Sequence, residues 1–224
     1  MDKIKIIEVK ESVFANNDER AEKLRDELRE TGSFLLNVMS SPGSGKTTFL
    51  TRLIKDIEDE YKVGVMEADI DGDVDAHRIL NETKAEVIQL HTGGMCHLDA
   101  DMVREGLDEI DPGRFDLIFL ENVGNLVCPA EFDTGASMNG VILSVPEGDD
   151  KPLKYPLMFQ EADVVFVSKI DVLPYFDFDL EKFKKNLQDR NPDCQVIPVS
   201  AVTGESMEDV KAWLKKAINN WRGV

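Results

Sequence analysis

The sequence predicts one α/β domain, in which a mostly parallel sheet carries helices on both faces. Short apolar runs alternate along the chain with longer stretches of helical periodicity, a pattern typical of parallel strands joined by crossover helices. The length of 224 residues and the hydrophobic content of 42% suit a single domain with a substantial core. No internal repeat, low-complexity stretch or linker divides the sequence.

The predicted elements follow one another in a regular order. Residues 15–31 show a charged amphipathic pattern, which predicts a helix with its apolar side chains on one face. Apolar runs then predict strands at residues 33–40, 62–69, 85–92, 115–122, 140–147, 162–170 and 194–201. Helical periodicity lies between most of these runs, first over residues 46–61, and a last helix is predicted over residues 206–221.

The composition excludes several classes of protein. The net charge of −18 repels a phosphate backbone, so no nucleic-acid partner is expected. No apolar run approaches the roughly 20 residues of a membrane span, and the N-terminus lacks the apolar core of a signal peptide. We expect a cytoplasmic protein without a membrane segment, whose three cysteines are free thiols or metal ligands.

A phosphate-binding loop is predicted at residues 40–48, "SSPGSGKTT", between a strand and a helix. Ser40 stands where the usual pattern has glycine, but the two glycines still let backbone N–H groups face a phosphate. Lys46 is expected to reach the β- and γ-phosphates, and Thr47 to bind Mg²⁺. The predicted nucleotide contacts of this loop are Gly43, Ser44, Gly45, Lys46, Thr47 and Thr48. A glycine-serine loop with an incidental lysine is the alternative, and the flanking strand and helix argue against it.

Two later turns predict which base is recognised. "SKID" resembles the guanine-specificity motif of GTPases, with serine in place of asparagine. The Asp171 carboxylate can accept from the N1–H and 2-amino groups of guanine, which adenine does not offer, and the Lys169 stem can cover the base. "SAVTG" resembles the last GTPase loop, in which Ser200 and Ala201 would meet the guanine. We therefore predict GTP and GDP as ligands.

The segment after the strand at residues 115–122 is expected to sense the γ-phosphate. Glu121 takes the place of the aspartate that GTPases link to Mg²⁺. Gly124 would bond the γ-phosphate through its N–H and make the following residues respond to it. Asn125 stands where many GTPases carry a water-orienting glutamine, which is one methylene longer. With Lys46, Glu121 and Asn125 as catalytic residues, we predict slow intrinsic hydrolysis.

An acidic loop follows the second predicted strand. Its aspartates are Asp69, Asp71, Asp73 and Asp75. Their spacing is not that of a calcium loop, because no glutamate completes the twelve-residue pattern. A solvated loop explains most of them. The first and the last are expected to bind Mg²⁺ together with Thr47 and Glu121, and no role is predicted for the other two.

"HTGGMCHLDA" places Cys96 and His97 in a glycine-rich turn after the third predicted strand, and Cys128 follows the strand that ends near Glu121. Because loops after parallel strands meet at one edge of a sheet, these three side chains are expected near the phosphates. Two thiolates and an imidazole suit Zn²⁺ or Ni²⁺, and a water or a second subunit would complete the set. The alternative is accidental proximity, since a Cys–His pair is not a full zinc signature.

Other conspicuous residues are given structural interpretations. Cys194 begins a strand and is expected at the opposite edge of the sheet as a packed thiol. His77 and His91 are interpreted as surface or structural side chains. Lys151 and Lys154, within "EGDDKPLKYP", either contact phosphate or a second subunit, or belong to a solvated loop.

Six segments in this order resemble the HypB family of nickel-incorporation GTPases: "SSPGSGKTT", "GGMCHLDA", "ENVGNLVCPAEFD", "EGDDKPLKYPLMF", "SKIDVLPY" and "SAVTGE". The resemblance implies a P-loop GTPase domain at residues 32–224, on which an N-terminal segment and helix at residues 1–31 are packed. It implies that Cys96, His97 and Cys128 bind Ni²⁺ or Zn²⁺ at a GTP-dependent homodimer interface. It further implies delivery of nickel to the large-subunit precursor of [NiFe]-hydrogenase, together with a HypA-like nickel chaperone. The family's N-terminal cysteine cluster and histidine-rich tract are missing, so only the site in the GTPase domain is expected.

Three alternatives stay open. The first is a urease-type nickel GTPase, which carries Cys-Pro-His and lacks the sequence context of Cys128. The second is an ATP-dependent kinase on the same loop, against which Asp171 argues. The third is a metal-binding scaffold with a structural nucleotide site. The residues favour a metal-handling switch, in which the γ-phosphate orders the segment after Gly124 and moves Cys128 relative to the Cys–His turn.

Overall fold

The structure of the protein, a computed structural model, describes residues 5–8 and 17–224. The strands in these ranges are β1 (Lys5–Glu8), β2 (Phe34–Ser40), β3 (Val63–Asp69), β4 (Glu86–His91), β5 (Leu117–Glu121), β6 (Met138–Ser144), β7 (Val164–Ser168) and β8 (Gln195–Pro198). They form one sheet in the order β1-β4-β3-β5-β2-β6-β7-β8. Every neighbouring pair is parallel, which confirms the predicted sheet.

Helices cover both faces of the sheet. They are α1 (Asn17–Thr31), α2 (Lys46–Ile57), α3 (Val74–Glu82), α4 (Ala100–Ile110), α5 (Lys151–Lys154), α6 (Pro156–Gln160), α7 (Leu180–Gln188) and α8 (Met207–Arg222). Because successive side chains of a strand point to opposite faces, Phe34 and Leu36 of β2 pack with α2, α3 and α8, whereas Leu35 packs with α1 and α4. None of the described helices combines the length and the hydropathy needed to cross a membrane.

The seven predicted strands are confirmed, with ends that differ from the prediction by at most three residues. The run predicted over residues 140–147 ends as a strand at Ser144, because a tight helical turn with Pro146 follows and Glu147 accepts from Ser144 N at 2.7 Å. The strand β1 was not predicted, since four residues at the edge of the sheet make too short a pattern and are held by pairing with β4. The first two residues of the helix predicted over 15–31 lie outside the described residues.

The strand order decides which loops become neighbours. β2 lies next to β5, β5 next to β3, and β3 next to β4. Because all these strands are parallel, the loops that follow them leave from the same edge of the sheet, where ligands bind in such folds. The predicted phosphate loop, the acidic loop, the Cys–His turn and the Gly124 segment are therefore brought together.

Candidate nucleotide-binding and metal-binding site

The loop between β2 and α2 has the backbone shape that phosphate binding requires. Gly43 and Gly45 have φ of 76° and 97°, values that a side chain disfavours. The helix α2 begins at Lys46, and the N–H groups of its first turn have no partner within the helix. Lys46 Nζ donates to Ser40 Oγ at 3.0 Å. The serine that departs from the usual glycine pattern thus holds the lysine expected to bind phosphate.

A cavity of about 190 Å³ beside this loop has the lining predicted for a guanine site. Its walls include Ser44, Thr48, Lys169, Asp171, Ala201 and Val202. Lys169 has a left-handed backbone, with φ of 60°, and its Nζ donates to Gly43 O at 2.7 Å. The lysine stem therefore runs along the phosphate loop, and the aspartate two residues further on faces the same cavity.

Two serines hold the walls of this cavity. Ser168 Oγ donates to Ser44 O at 2.8 Å, so the serine that replaces the usual asparagine ties the end of β7 to the phosphate loop. Ser200 is buried, and its Oγ accepts from Thr203 N at 3.1 Å. Ser200 shapes the turn that carries Ala201, whereas Ala201 itself lines the cavity.

Carboxylates from β3, α3 and β5 converge next to the phosphate loop. One oxygen from each of Glu67, Asp75 and Glu121 lies within 4.8 Å of the other two, and we call these three residues the carboxylate cluster. Thr47 Oγ1 donates to Glu121 Oε1 at 2.8 Å. These hard oxygen donors fit Mg²⁺. The structure thus brings Thr47, Asp75 and Glu121 together, as the sequence predicted.

The carboxylate cluster contains Glu67, which the sequence analysis missed, and not Asp69, which it chose. Asp69 Oδ1 accepts from the backbone N–H groups of Asp71 and Gly72, at 3.1 and 2.9 Å, so it folds the turn after β3. Glu67 is an acid inside the apolar, buried part of the strand "VGVMEAD". That unexplained acid in a core strand was the signal that could have identified it.

Burial controls the charge of the carboxylate cluster in the metal-free protein. Burial raises the pKa of Glu121 to about 7, against the opposing effects of the Lys46 charge and the Thr47 hydrogen bond. Burial, with the charge of Glu121 as the next cause, raises the pKa of Glu67 to about 8. A divalent cation would favour the charged forms that burial disfavours.

Cys96 and Cys128 lie side by side, as predicted for a metal site. Their Sγ atoms are 2.8 Å apart, and both thiols are free and half-buried. Cys96 follows β4 in the glycine turn, and Cys128 opens a short helical turn over Cys128–Ala130. The pKa of Cys96 is raised, mainly by its hydrogen bond with Cys128, and a hydrogen bond with the Asn125 side chain acts in the opposite direction.

His97 does not join the two thiols within one chain. The residue is 5% exposed, and its ring stacks on Phe132, with the ring centroids 3.7 Å apart and the planes at 9°. Among the described residues, the one group of three His, Cys, Asp or Glu side chains that gathers within 4.8 Å is the carboxylate cluster. The expected gathering therefore holds for Cys96 and Cys128 and not for His97, because the imidazole packs on an aromatic ring instead.

The segment after β5 contacts the phosphate loop and the thiols. A Cβ placed on Gly124 would lie 3.3 Å from backbone atoms of Pro42, so this glycine lies directly against the loop. Asn125 Oδ1 accepts from Val127 N at 2.8 Å, and the same side chain reaches Cys96. The residue predicted to orient water is therefore engaged within its own turn.

The other conspicuous cysteine and histidines have structural surroundings. Burial raises the pKa of Cys194 to about 12, and this thiol directly precedes β8, which confirms a packed cysteine at the opposite edge. His91 Nε2 lies 3.2 Å from Gly72 O. His77 is exposed on α3, 3.5 Å from Asp73. The surface and structural interpretations of both histidines are confirmed.

The loop after β6 is connected to the phosphate loop by an acid. Glu147 accepts a hydrogen bond from Ser41, besides closing its own turn. Lys154 pairs with Asp150, and Lys151 lies over the Tyr155 ring. These local contacts place both lysines on the surface of α5 and favour the solvated interpretation for the single chain.

The parallel sheet and the glycine loop at the start of α2 assign the protein to the P-loop nucleotide-binding class. Comparison with known families agrees, since residues 34–198 match the family described as "CobW/HypB/UreG, nucleotide-binding domain".

Known relatives define the family more closely. The hydrogenase maturation factor HypB of Rhizobium leguminosarum bv. viciae is 46% identical over 215 residues, which are 96% of this chain and 72% of the relative. Two crystal structures are similar. HypB from Helicobacter pylori in complex with nickel has a TM-score of 0.85 at 40% identity, covering 92% of this chain and 97% of that one. HypB from Archaeoglobus fulgidus has a TM-score of 0.83 at 38% identity, and the match covers 92% of this chain and 100% of that one. The chain belongs to the HypB family of hydrogenase maturation factors, which confirms the resemblance seen in the sequence.

Proposed function

We propose that this protein is a GTP-hydrolysing metallochaperone that binds Ni²⁺ or Zn²⁺ and delivers nickel during maturation of [NiFe]-hydrogenase. The observation that carries the proposal is the pair of thiols, Cys96 and Cys128, 2.8 Å apart at the sheet edge that also holds the phosphate loop. Thiolates suit both ions. The nickel complex of the related H. pylori HypB supports nickel as the cargo.

GTP is the nucleotide that the cavity lining favours. Asp171 lines the cavity and would accept from the guanine edge, and Lys46 would exchange its contact with Ser40 for the β- and γ-phosphates. Mg²⁺, held by Thr47, Asp75 and Glu121, would neutralise charge on the phosphate oxygens. Asn125 is occupied by Val127 N, which supports slow intrinsic hydrolysis.

The segment after β5 supplies a physical link between nucleotide and metal. Gly124 lies against the phosphate loop at Pro42, and Cys128 follows it by four residues, at most about 15 Å of extended chain. A γ-phosphate that draws in the N–H of Gly124 would also displace Asn125, whose side chain reaches Cys96. The two thiols would then change their separation with the nucleotide state. Bound metal must in turn alter nucleotide affinity, because coupling between sites is reciprocal.

The metal site of one chain is incomplete, which favours a homodimer. Two thiols leave a tetrahedral ion short of two ligands. His97 would have to leave Phe132 to join them, and we assign this rearrangement to dimer formation with GTP. A HypA-like nickel chaperone and the hydrogenase large-subunit precursor are the proposed partners, in the cytoplasm.

Urease is the second candidate for the acceptor. A Helicobacter pylori relative that is 42% identical over 214 residues, 94% of this chain and 87% of its own length, is named a hydrogenase/urease maturation factor. The metal and nucleotide chemistry would be the same, and only the acceptor protein would differ. Transfer of nickel from the loaded protein to each purified apo-acceptor distinguishes the two.

Calorimetric titration with nickel tests the proposal. Removal of a group that only supports a metal ligand weakens metal binding roughly 10–100-fold. Cys96→Ser and Cys128→Ser each remove a proposed ligand, so each should weaken nickel binding by more than that. Cys194→Ser is the matched control, because its thiol is buried at the opposite edge, and it should bind nickel like the wild type. Equal nickel affinity in all four proteins would contradict the proposed site.

A further inference from the structure

Glu67 and Glu121 are placed side by side by the register of the sheet. β3 and β5 are parallel neighbours, and Glu67 is the direct partner of Glu121 in their ladder. Paired residues of parallel strands project their side chains to the same face of the sheet. Two carboxylates of the core are therefore adjacent because of the backbone, whatever their rotamers.

These two side chains are buried, and each has an oxygen without a hydrogen-bond partner. Glu67 is 3% exposed and Glu121 is 1% exposed. Glu67 Oε2 and Glu121 Oε2 are fully buried and unpartnered. Buried polar atoms in proteins are nearly always satisfied, and an orphan calls for an ion or a water. Two such orphans beside a third carboxylate offer oxygen ligands that a cation could bind.

Asp75 brings a third carboxylate from a different element. It lies in the first turn of α3, on the solvent side, and completes the group within 4.8 Å. Lys46 and Arg78 are the cations whose charges act on Glu121, but neither gives a hydrogen bond to the unpartnered oxygens. In the carboxylate cluster, therefore, the two glutamates are buried and Asp75 is exposed to solvent.

We propose that Glu67, Asp75 and Glu121 form a divalent-cation site that takes Mg²⁺ or Mn²⁺ in the nucleotide-free protein, with Glu67 as a direct ligand. The proposal refines the magnesium site of the proposed function, since it replaces Asp69 by Glu67. Protein magnesium sites commonly use one or two carboxylates and rely on substrate phosphates for the rest. Three carboxylates remove that dependence, so the cation binds first and the nucleotide arrives at a site already loaded.

Oxygen-only donors separate this site from the thiol site. Carboxylate oxygens suit Mg²⁺ and Mn²⁺, whereas the thiols of Cys96 and Cys128 suit softer ions. The two sites are therefore expected to fill independently, one with the nucleotide's cation and the other with the cargo. Asp71 is in the same acidic loop, is exposed and lies outside the carboxylate cluster, so it offers a matched change of charge.

The test is titration of nucleotide-free protein with Mn²⁺, in which free Mn²⁺ is counted by its paramagnetic resonance signal in 0.15 M salt. Wild type and Asp71→Asn should each bind one Mn²⁺ per chain, and excess Mg²⁺ should displace it. Glu67→Gln should bind at least about tenfold more weakly, because affinity follows the number of charged ligands. Glu67→Asp keeps the charge but shortens the side chain. Its Mn²⁺ affinity should lie between those of the wild type and Glu67→Gln, and the resonance of its bound Mn²⁺ should differ from that of the wild type.

Two results would overturn the proposal: no stoichiometric Mn²⁺ binding without nucleotide, or equal binding by Glu67→Gln and wild type. Thermal melting in EDTA tests whether the variants are folded. Glu67→Gln should melt no lower than the wild type, because the neutral amide removes the repulsion between two buried acids. Nickel titration of the same Glu67→Gln protein separates this inference from the proposed function. Glu67→Gln should bind nickel at the thiols as the wild type does. If the wild type binds Mn²⁺ as predicted but binds no nickel, the result counts against the metallochaperone and not against the carboxylate cluster.

Discussion

Replacement of Glu67 by glutamine should change how the stability of the metal-free protein depends on pH. The pKa of Glu67 is raised from 4.5 to about 8, first by burial and then by the charge of Glu121. Between these two values the folded protein holds a proton that the unfolded chain has released. The stability from this group is therefore complete below pH 4.5 and is lost as the pH rises towards 8.

The size of the effect follows from the shift. One pKa unit corresponds to about 1.4 kcal/mol, so the change from 4.5 to about 8 amounts to about 5 kcal/mol. Glutamine does not ionise, so the Glu67→Gln protein does not lose this stability as the pH rises. The advantage of Glu67→Gln over wild type in free energy of unfolding should therefore grow by several kcal/mol from pH 5 to pH 8.

Urea unfolding in EDTA at pH 5, 6, 7 and 8 measures this difference, because groups away from the carboxylate cluster titrate alike in both proteins and cancel. Asp71→Asn removes an acid from an exposed position of the neighbouring loop and should follow the wild type. Added Mg²⁺ should stabilise the wild type most at pH 8, where it replaces the lost proton. Parallel stability curves for wild type and Glu67→Gln would refute the reasoning.

Three further substitutions test the nucleotide site. Lys46→Ala should weaken GDP binding about 10–100-fold, since a hydrogen bond to a charged group contributes about 1.5–3 kcal/mol; an unchanged affinity in a fluorescent-GDP displacement assay would contradict the assigned role. Asp171→Asn should lose the preference for guanine and gain affinity for xanthine nucleotides, whose 2-carbonyl accepts from the new amide; retention of full GTP preference in competition binding would exclude Asp171 from the base site. Gly124→Ala should lower the free energy of unfolding by about 1–3 kcal/mol through crowding against Pro42, and a wild-type urea midpoint would show that the segment does not press on the loop.

The parts of the fold that are coded locally could be predicted from the sequence. The central strands are continuous apolar runs because both faces of the sheet are covered, and such runs are visible without knowledge of their partners. The phosphate loop and the base-binding turns are short motifs that carry their own geometry. The positions of Lys46 in the phosphate loop and of Lys169 and Asp171 beside it could therefore be predicted in advance.

The features that depend on pairing between distant segments could not be predicted. Glu67 becomes a partner of Glu121 only through the register of β3 against β5, and 54 positions of sequence separate them. Asp69 was chosen from the aspartates of the acidic loop, but its carboxylate is used by the turn that follows. His97 was placed with Cys96 by adjacency in sequence, whereas tertiary packing sends its ring onto Phe132.

The measurement that tests the central claim most directly is the nickel affinity of the purified protein with GDP and with a non-hydrolysable GTP analogue, alongside its mass by light scattering. The account predicts different nickel affinities in the two states, a dimer that forms with the GTP analogue, and loss of the difference in Cys96→Ser. The same affinity and the same mass with both nucleotides would contradict it, because the segment from Gly124 to Cys128 would then carry no signal between phosphate and metal.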